Sequence, residues 1–205
     1  MWKYTALIKF TLEVLSESCQ PRGLTINAFF MYISRRSVLG LLISSIYGSC
    51  TQSSSSAPEK VALDELLPDL LLSPSGDSVA RETLQGKFIG LYFSASWCPP
   101  CRAFTPVLIN FRNERIETFE VVLVGLDKSA QEQQAYVSKS GMPWLSLPNK
   151  MEHKQKLQSL FGIRGIPSLI VVSPDGLVVS TRGRQEITKY GSSVFEDWLA
   201  KASAS

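Results

Sequence analysis

Histidine is almost absent from this 205-residue chain, His153 being the only one. Cysteine is sparse too: Cys19, Cys50, Cys98 and Cys101 are the whole set. Only Cys98 and Cys101 stand close together, and no second pair or histidine partner completes a four-ligand zinc site. His153 lies in a polar helical stretch and reads as a solvated side chain, so no metal is expected. Two of the four cysteines fall in the N-terminal quarter, away from any core, which is not the pattern of a disulfide scaffold. An excess of one charge is also missing from most of the chain. The formal net charge is +3, and it comes from residues 1–49, which hold five basic and two acidic side chains. Residues 50–205 carry both signs in equal number. A neutral domain without a basic stripe gives no footing for nucleic acid. No internal repeat is present.

The apolar run from Val38 to Tyr47 is too short to span a bilayer, which takes about 20 residues, but it fits the ~7–15 residue core of an export signal. Arg35 and Arg36 precede it, and Ser34-Arg35-Arg36-Ser37-Val38-Leu39 resembles a twin-arginine signal. Gly48-Ser49-Cys50 resembles the end of a bacterial lipoprotein box, with Tyr47 where such boxes carry an aliphatic residue. Residues 31–50 are therefore expected to be a signal segment, with Cys50 lipidated as the mature N-terminus. The alternative is a plain secretory signal with an incidental cysteine. Residues 1–30 read as an upstream over-extension, since Met31 is the better start, or else as an amphipathic leader from Ala6 to Leu15. Residues 51–60 are a Ser-rich flexible tether, and residues 61–205 are one domain. These readings together place the domain at the cell envelope or in the periplasm, tethered to the membrane.

Within the domain, apolar runs alternate with amphipathic stretches. Lys87 to Phe93 and Phe119 to Leu126 are short and apolar enough for strands buried on both faces. A helix is expected from the cysteine motif to about Thr118, with Phe104, Leu108, Phe111 and Arg115 on one face. Further helices are expected over Ser129 to Ser140, Met151 to Phe161 and Ser192 to Ala200. Ser173-Pro174-Asp175-Gly176 should turn a hairpin between Ser168–Val172 and Leu177–Thr181. This order predicts an α/β domain with a mixed sheet.

The chemistry sits where a strand feeds a helix, at Trp97-Cys98-Pro99-Pro100-Cys101. Residues three apart at a helix start share a face, so two sulfurs can join as a disulfide or part as a dithiol. Cys98 would stand at the helix N-terminus, where the macrodipole favours a thiolate. Cys101, one turn inside, would be placed to attack a mixed disulfide. Two prolines between the cysteines suit a helix start, where a missing N–H costs little, better than an inert buried pair.

Tyr92-Phe93-Ser94-Ala95-Ser96-Trp97-Cys98-Pro99-Pro100-Cys101-Arg102-Ala103-Phe104-Thr105-Pro106 resembles the active-site segment of tryparedoxins and nucleoredoxins, within the thioredoxin superfamily. Met142-Pro143-Trp144-Leu145 and Phe161 to Ile170 match further blocks of that group. The resemblance implies a thioredoxin-like fold with a central mixed sheet flanked by helices. It implies Cys98 as nucleophile and Cys101 as resolving cysteine. Pro167 would be a cis-proline facing them, and Trp97, Pro99, Pro100, Ile166 and Pro167 would line a substrate groove. Trp144 reads as structural. Tyr92 stands where ordinary thioredoxins carry a buried Asp, so water or Tyr92 must be considered as the proton relay. The expected activity is reduction or exchange of protein disulfides, with no cofactor. The electron donor would be a dedicated one, such as an inner-membrane carrier. The rivals are a thiol reductant of cytochrome-c maturation, an oxidant that donates disulfides, and a redox-gated binding protein without turnover.

Overall fold

The computed structural model describes residues 60–204. The expectations for residues 1–30, for the signal segment with Cys50 and for most of the tether lie outside the described residues. Of the central strand Phe88–Ser94 (β3) every residue is buried. Its side chains divide by parity, as a strand's must. Phe88 and Tyr92 join one hydrophobic cluster, while Ile89, Leu91 and Phe93 join the other on the opposite face. Gly90 falls between them on the Phe88 face, where a Cβ would meet the Phe119 ring at 2.8 Å.

The helices are α1 (Leu63–Leu66), α2 (Pro99–Asn113), α3 (Ala130–Ser140), α4 (Met151–Leu160), α5 (Gly183–Tyr190) and α6 (Val194–Ser203). The remaining strands are β1 (Leu70–Leu72), β2 (Ser78–Ala80), β4 (Phe119–Gly125), β5 (Leu145–Ser146), β6 (Ser168–Val172) and β7 (Val178–Ser180). They form one seven-stranded sheet in the order β2-β1-β5-β4-β3-β6-β7. β3 runs parallel to β4 and antiparallel to β6, so the sheet is mixed, as expected. One face packs residues of α2, α3, α5 and α6, including Leu108, Phe111, Tyr136, Ile187 and Trp198. The other packs Leu66 of α1 and Leu157 of α4.

Two hairpins share one turn design. Ser73-Pro74-Ser75-Gly76 joins β1 to β2, and Ser173-Pro174-Asp175-Gly176 joins β6 to β7. In each, the glycine N–H donates to the serine carbonyl, with Gly76 at φ 95° and Gly176 at φ 91°. Glycine is the residue for those left-handed positions.

The helix after the cysteines is shorter than its periodicity predicts, ending at Asn113 and not near Thr118. β4 must begin at Phe119, opposite Phe88, so the chain turns back through residues 114–118. Arg115 leaves the helix yet keeps its Phe111 contact: its guanidinium lies 4.6 Å over that ring and donates to the Ser192 carbonyl. The hairpin strand expected from Leu177 to Thr181 is only Val178–Ser180, and the last helix runs later than expected.

Candidate redox site

β3 ends at Ser94, and four residues later Cys98 becomes the N-cap of α2, with Pro99 and Pro100 in the first two helical positions. Extended backbone at Cys98 (φ −96°, ψ 106°) gives way to helix within one residue. This places Cys101 one turn inside. The two cysteines are joined as a disulfide with their Cα atoms 5.2 Å apart. The spacing argument from the sequence therefore holds in three dimensions.

The prolines narrow one expectation. A helix start offers its unpaired N–H groups to an anion, but Pro99 and Pro100 have none. The Cys98 N–H donates to the Ala95 carbonyl, and the Cys101 N–H to the Cys98 carbonyl at 3.1 Å. Stabilisation of a Cys98 thiolate would thus fall to the helix dipole, without a ring of free N–H donors.

The Ile166–Pro167 peptide bond is cis. It brings the Ile166 carbonyl oxygen to 3.8 Å from Cys98 Sγ. Ile166 is half-buried and Pro167 buried, while Pro99 and Pro100 are exposed. Trp97 is 58% exposed beside them. Cys98 retains 4% of its surface and Cys101 none, so both are buried and the first is the less covered of the two. Cys98 is thus more enclosed than a bare helix start suggests. Of the sequence-predicted groove residues, Trp97, Pro99 and Pro100 adjoin the disulfide along the chain and Ile166 reaches it through its carbonyl.

Behind Cys101 lies a set of buried hydroxyls. The Tyr92 hydroxyl donates to the Cys101 carbonyl at 3.0 Å and lies 3.1 Å from Thr105 Oγ1. Thr105 Oγ1 lies 3.2 Å from the Tyr136 hydroxyl, which lies 2.9 Å from Ser94 Oγ. Burial pushes the Tyr92 phenol up to about 12. Such a group keeps its proton at any physiological pH, in keeping with its hydrogen bond to the Cys101 carbonyl. Trp144 packs edge-on against Tyr92, ring centres 6.2 Å apart, and is buried, in keeping with a structural part.

Sequence reasoning missed Asp127. Its buried carboxylate accepts the Ser96 N–H at 2.9 Å and the Ser96 hydroxyl at 2.7 Å, both on Oδ1. On the other side of Ser96, the Arg102 guanidinium donates to its carbonyl at 2.6 Å. The residue two places before Cys98 is thus held at both ends. The Asp127 carbonyl in turn accepts Lys154 Nζ at 3.1 Å and Asn149 Nδ2 at 3.2 Å. Lys154 is buried, and its desolvation lowers the ammonium's pKa against the opposing pull of the Asp127 charge. The available signal was position: Asp127 follows the apolar strand β4, and α/β sheets set functional groups at the C-terminal ends of strands. Among the described residues no group of three His, Cys, Asp or Glu side chains could hold a metal ion.

Residues 86–178 match a family described as thioredoxin-like. The nucleoredoxin of Xenopus laevis is 40% identical over 129 residues, 61% of this chain and 31% of that one. The chain spans about a third or less of the curated nucleoredoxins it matches. Tryparedoxin I from Crithidia fasciculata is 43% identical, with a TM-score of 0.59, over 63% of this chain and 92% of that one. Tryparedoxin from Trypanosoma brucei is 39% identical, with a TM-score of 0.60, over 66% of this chain and 96% of that one. Fold, paired cysteines and identity over nearly the whole length of those structures agree: the chain belongs to the thioredoxin-like family of oxidoreductases and is related to tryparedoxins and nucleoredoxins.

Proposed function

We propose that this protein reduces or exchanges disulfides in other polypeptides, with Cys98 as attacking thiolate and Cys101 as resolving thiol. The observation that carries the reading is the Cys98–Cys101 disulfide set beside the Ile166 carbonyl and the exposed Trp97 ring. In the reduced protein, Cys98 attacks one sulfur of a substrate disulfide. A Cys98–substrate disulfide forms, the substrate bond breaks, and the other substrate sulfur leaves as a thiolate. Cys101 gives up its proton and attacks Cys98 Sγ, re-forming the internal disulfide and freeing the second substrate thiol. The departing substrate thiolate takes that proton in this scheme, so the step balances without a side-chain base.

Two electrons pass to the substrate in each cycle, so a donor must return them. We assign that part to a dedicated reductant, such as an inner-membrane electron carrier, acting on a domain tethered through a lipidated Cys50. Among the described residues, Val61 lies at the end of β3 opposite the disulfide: its N–H donates to the Gly176 carbonyl, just past the end of β6 that pairs with the start of β3.

Insulin reduction with dithiothreitol as electron source tests the reading. Turnover is expected from the wild type and from neither Cys98→Ser nor Cys101→Ser. A reduction potential near about −270 mV fits a reductant, whereas one near about −120 mV makes the protein an oxidant. Mass spectrometry of the mature protein checks the anchor: an unmodified N-terminus elsewhere than Cys50 removes it.

A further inference from the structure

Between the start of α2 and the side of α3 lies a recess of about 500 Å³, lined by Ser96, Arg102, Glu132, Tyr136 and Lys139 among others. Its lining takes in Ser96 and Arg102, the residues two before Cys98 and one after Cys101 in the chain. Its charges are not evenly committed. Glu132 closes the capping box of α3: its carboxylate accepts the Lys128 N–H at 3.0 Å, while its own N–H donates to Ser129 Oγ. Arg102 spends one nitrogen on the Ser96 carbonyl, and neither Arg102 nor Lys139 forms an ion pair among the described residues. Two cations thus border the recess, facing a carboxylate already engaged with the backbone. Lys128, exposed next to that capping box, adds a third positive charge nearby.

We propose that this recess is a specificity subsite for an acidic side chain of the substrate polypeptide, an Asp or Glu a few residues from the cysteine that bonds to Cys98. The inference rests on the disulfide-exchange reading above and names the substrates that site prefers. The volume exceeds what a bare anion needs and falls in the range of sites for larger groups, about 300–1,000 Å³. A planar guanidinium with free N–H groups suits a carboxylate. Such rim charges act on substrate choice and capture more than on the sulfur chemistry.

The test uses two matched peptide disulfides, one with Asp and one with Lys flanking the cysteine, and uncharged hydroxyethyl disulfide as reference. Wild-type kcat/KM at low ionic strength should favour the Asp peptide by about fivefold, the scale of one to two exposed ion pairs. Lys139→Glu should erase or invert that ratio and Lys139→Gln should reduce it, with the hydroxyethyl disulfide rate unchanged in both. About 0.5 M salt should also collapse the preference. Equal wild-type rates on the two peptides, or a preference that survives Lys139→Glu, would overturn the subsite while leaving the exchange activity standing. If the wild type cannot reduce hydroxyethyl disulfide at all, the exchange reading itself fails, and the subsite with it.

Discussion

The buried Tyr92 hydroxyl donates to the Cys101 carbonyl, and burial raises its phenol to about 12. In the unfolded chain a tyrosine titrates near about 10. Below that value both states hold the proton and the stability contribution is fully present. As pH rises from about 10 through 12 the unfolded chain ionises first, and the contribution is lost, by about 3 kcal/mol in all. Urea unfolding between about pH 9 and 11 should therefore show a steeper loss of stability in the wild type than in Tyr92→Phe. Parallel slopes would contradict the burial argument. At neutral pH the same variant should lose about 1 kcal/mol for its hydrogen bonds. Asp127 carries a second prediction. Asp127→Ala leaves the Ser96 N–H and hydroxyl without their acceptor and should cost about 2 kcal/mol, measurable by denaturant midpoint. Asp127→Asn keeps a carbonyl oxygen for both donors and should recover most of that loss; an Ala variant as stable as wild type would show that Asp127 does not hold Ser96. The disulfide was legible because Trp97-Cys98-Pro99-Pro100-Cys101 is a local pattern with a mechanism, and Ile166-Pro167 only through the resemblance to tryparedoxins and nucleoredoxins. Asp127 was not, because one acidic residue after an apolar strand looks the same as any turn residue. Its partner Ser96 is 31 positions away.

Helix α2 holds Cys101 and is capped by Cys98, and a clamp ties it to the sheet. Arg112 Nε and Nη2 donate to the two carboxylate oxygens of Glu120 on β4, at 2.8 and 2.5 Å, with both side chains about one-tenth exposed. Removing one partner of such a pair leaves the other charge buried, at a cost of about 3–5 kcal/mol. Arg112→Ala should lower the thermal midpoint accordingly, and Arg112→Lys, which cannot make the two-pronged contact, should fall between. A wild-type melting temperature in Arg112→Ala would mean that the pair contributes nothing to holding the helix. At this scale the sequence was readable wherever apolar residues were dense. β3, β4 and β6 were placed within a residue or so, and α3 was marked by Ser129, whose hydroxyl caps it. Helix α5 escaped because, apart from Gly183, only Ile187 in it is buried, which leaves no apolar stripe to recognise. Strands β1, β2 and β5 escaped because two or three residues cannot establish a period of two. They exist through pairing with one another and with β4.

Among the described residues the sheet separates two ends. Val61 donates its N–H to the Gly176 carbonyl at one, and the disulfide follows the opposite end of β3, a strand of roughly 20 Å at about 3.3 Å per residue. That polarity could not be read from sequence order, since it depends on β6 running antiparallel to β3. It predicts that adding a bulky fusion or a surface linkage before Lys60 leaves disulfide reduction within about twofold of the free domain. A severe loss would mean that the two ends are not independent; the roughly 20 Å strand between them is the reason they should be. The account as a whole stands on an order of events: Cys98 first, Cys101 second. Incubating each cysteine variant with a disulfide-containing polypeptide and resolving covalent adducts by non-reducing gel and mass spectrometry tests it directly. Cys101→Ser should accumulate a Cys98–substrate disulfide, because no internal thiol is left to release it, and Cys98→Ser should form almost none. Adducts on Cys101 in the Cys98→Ser protein, formed as readily as those on Cys98, would contradict the assignment.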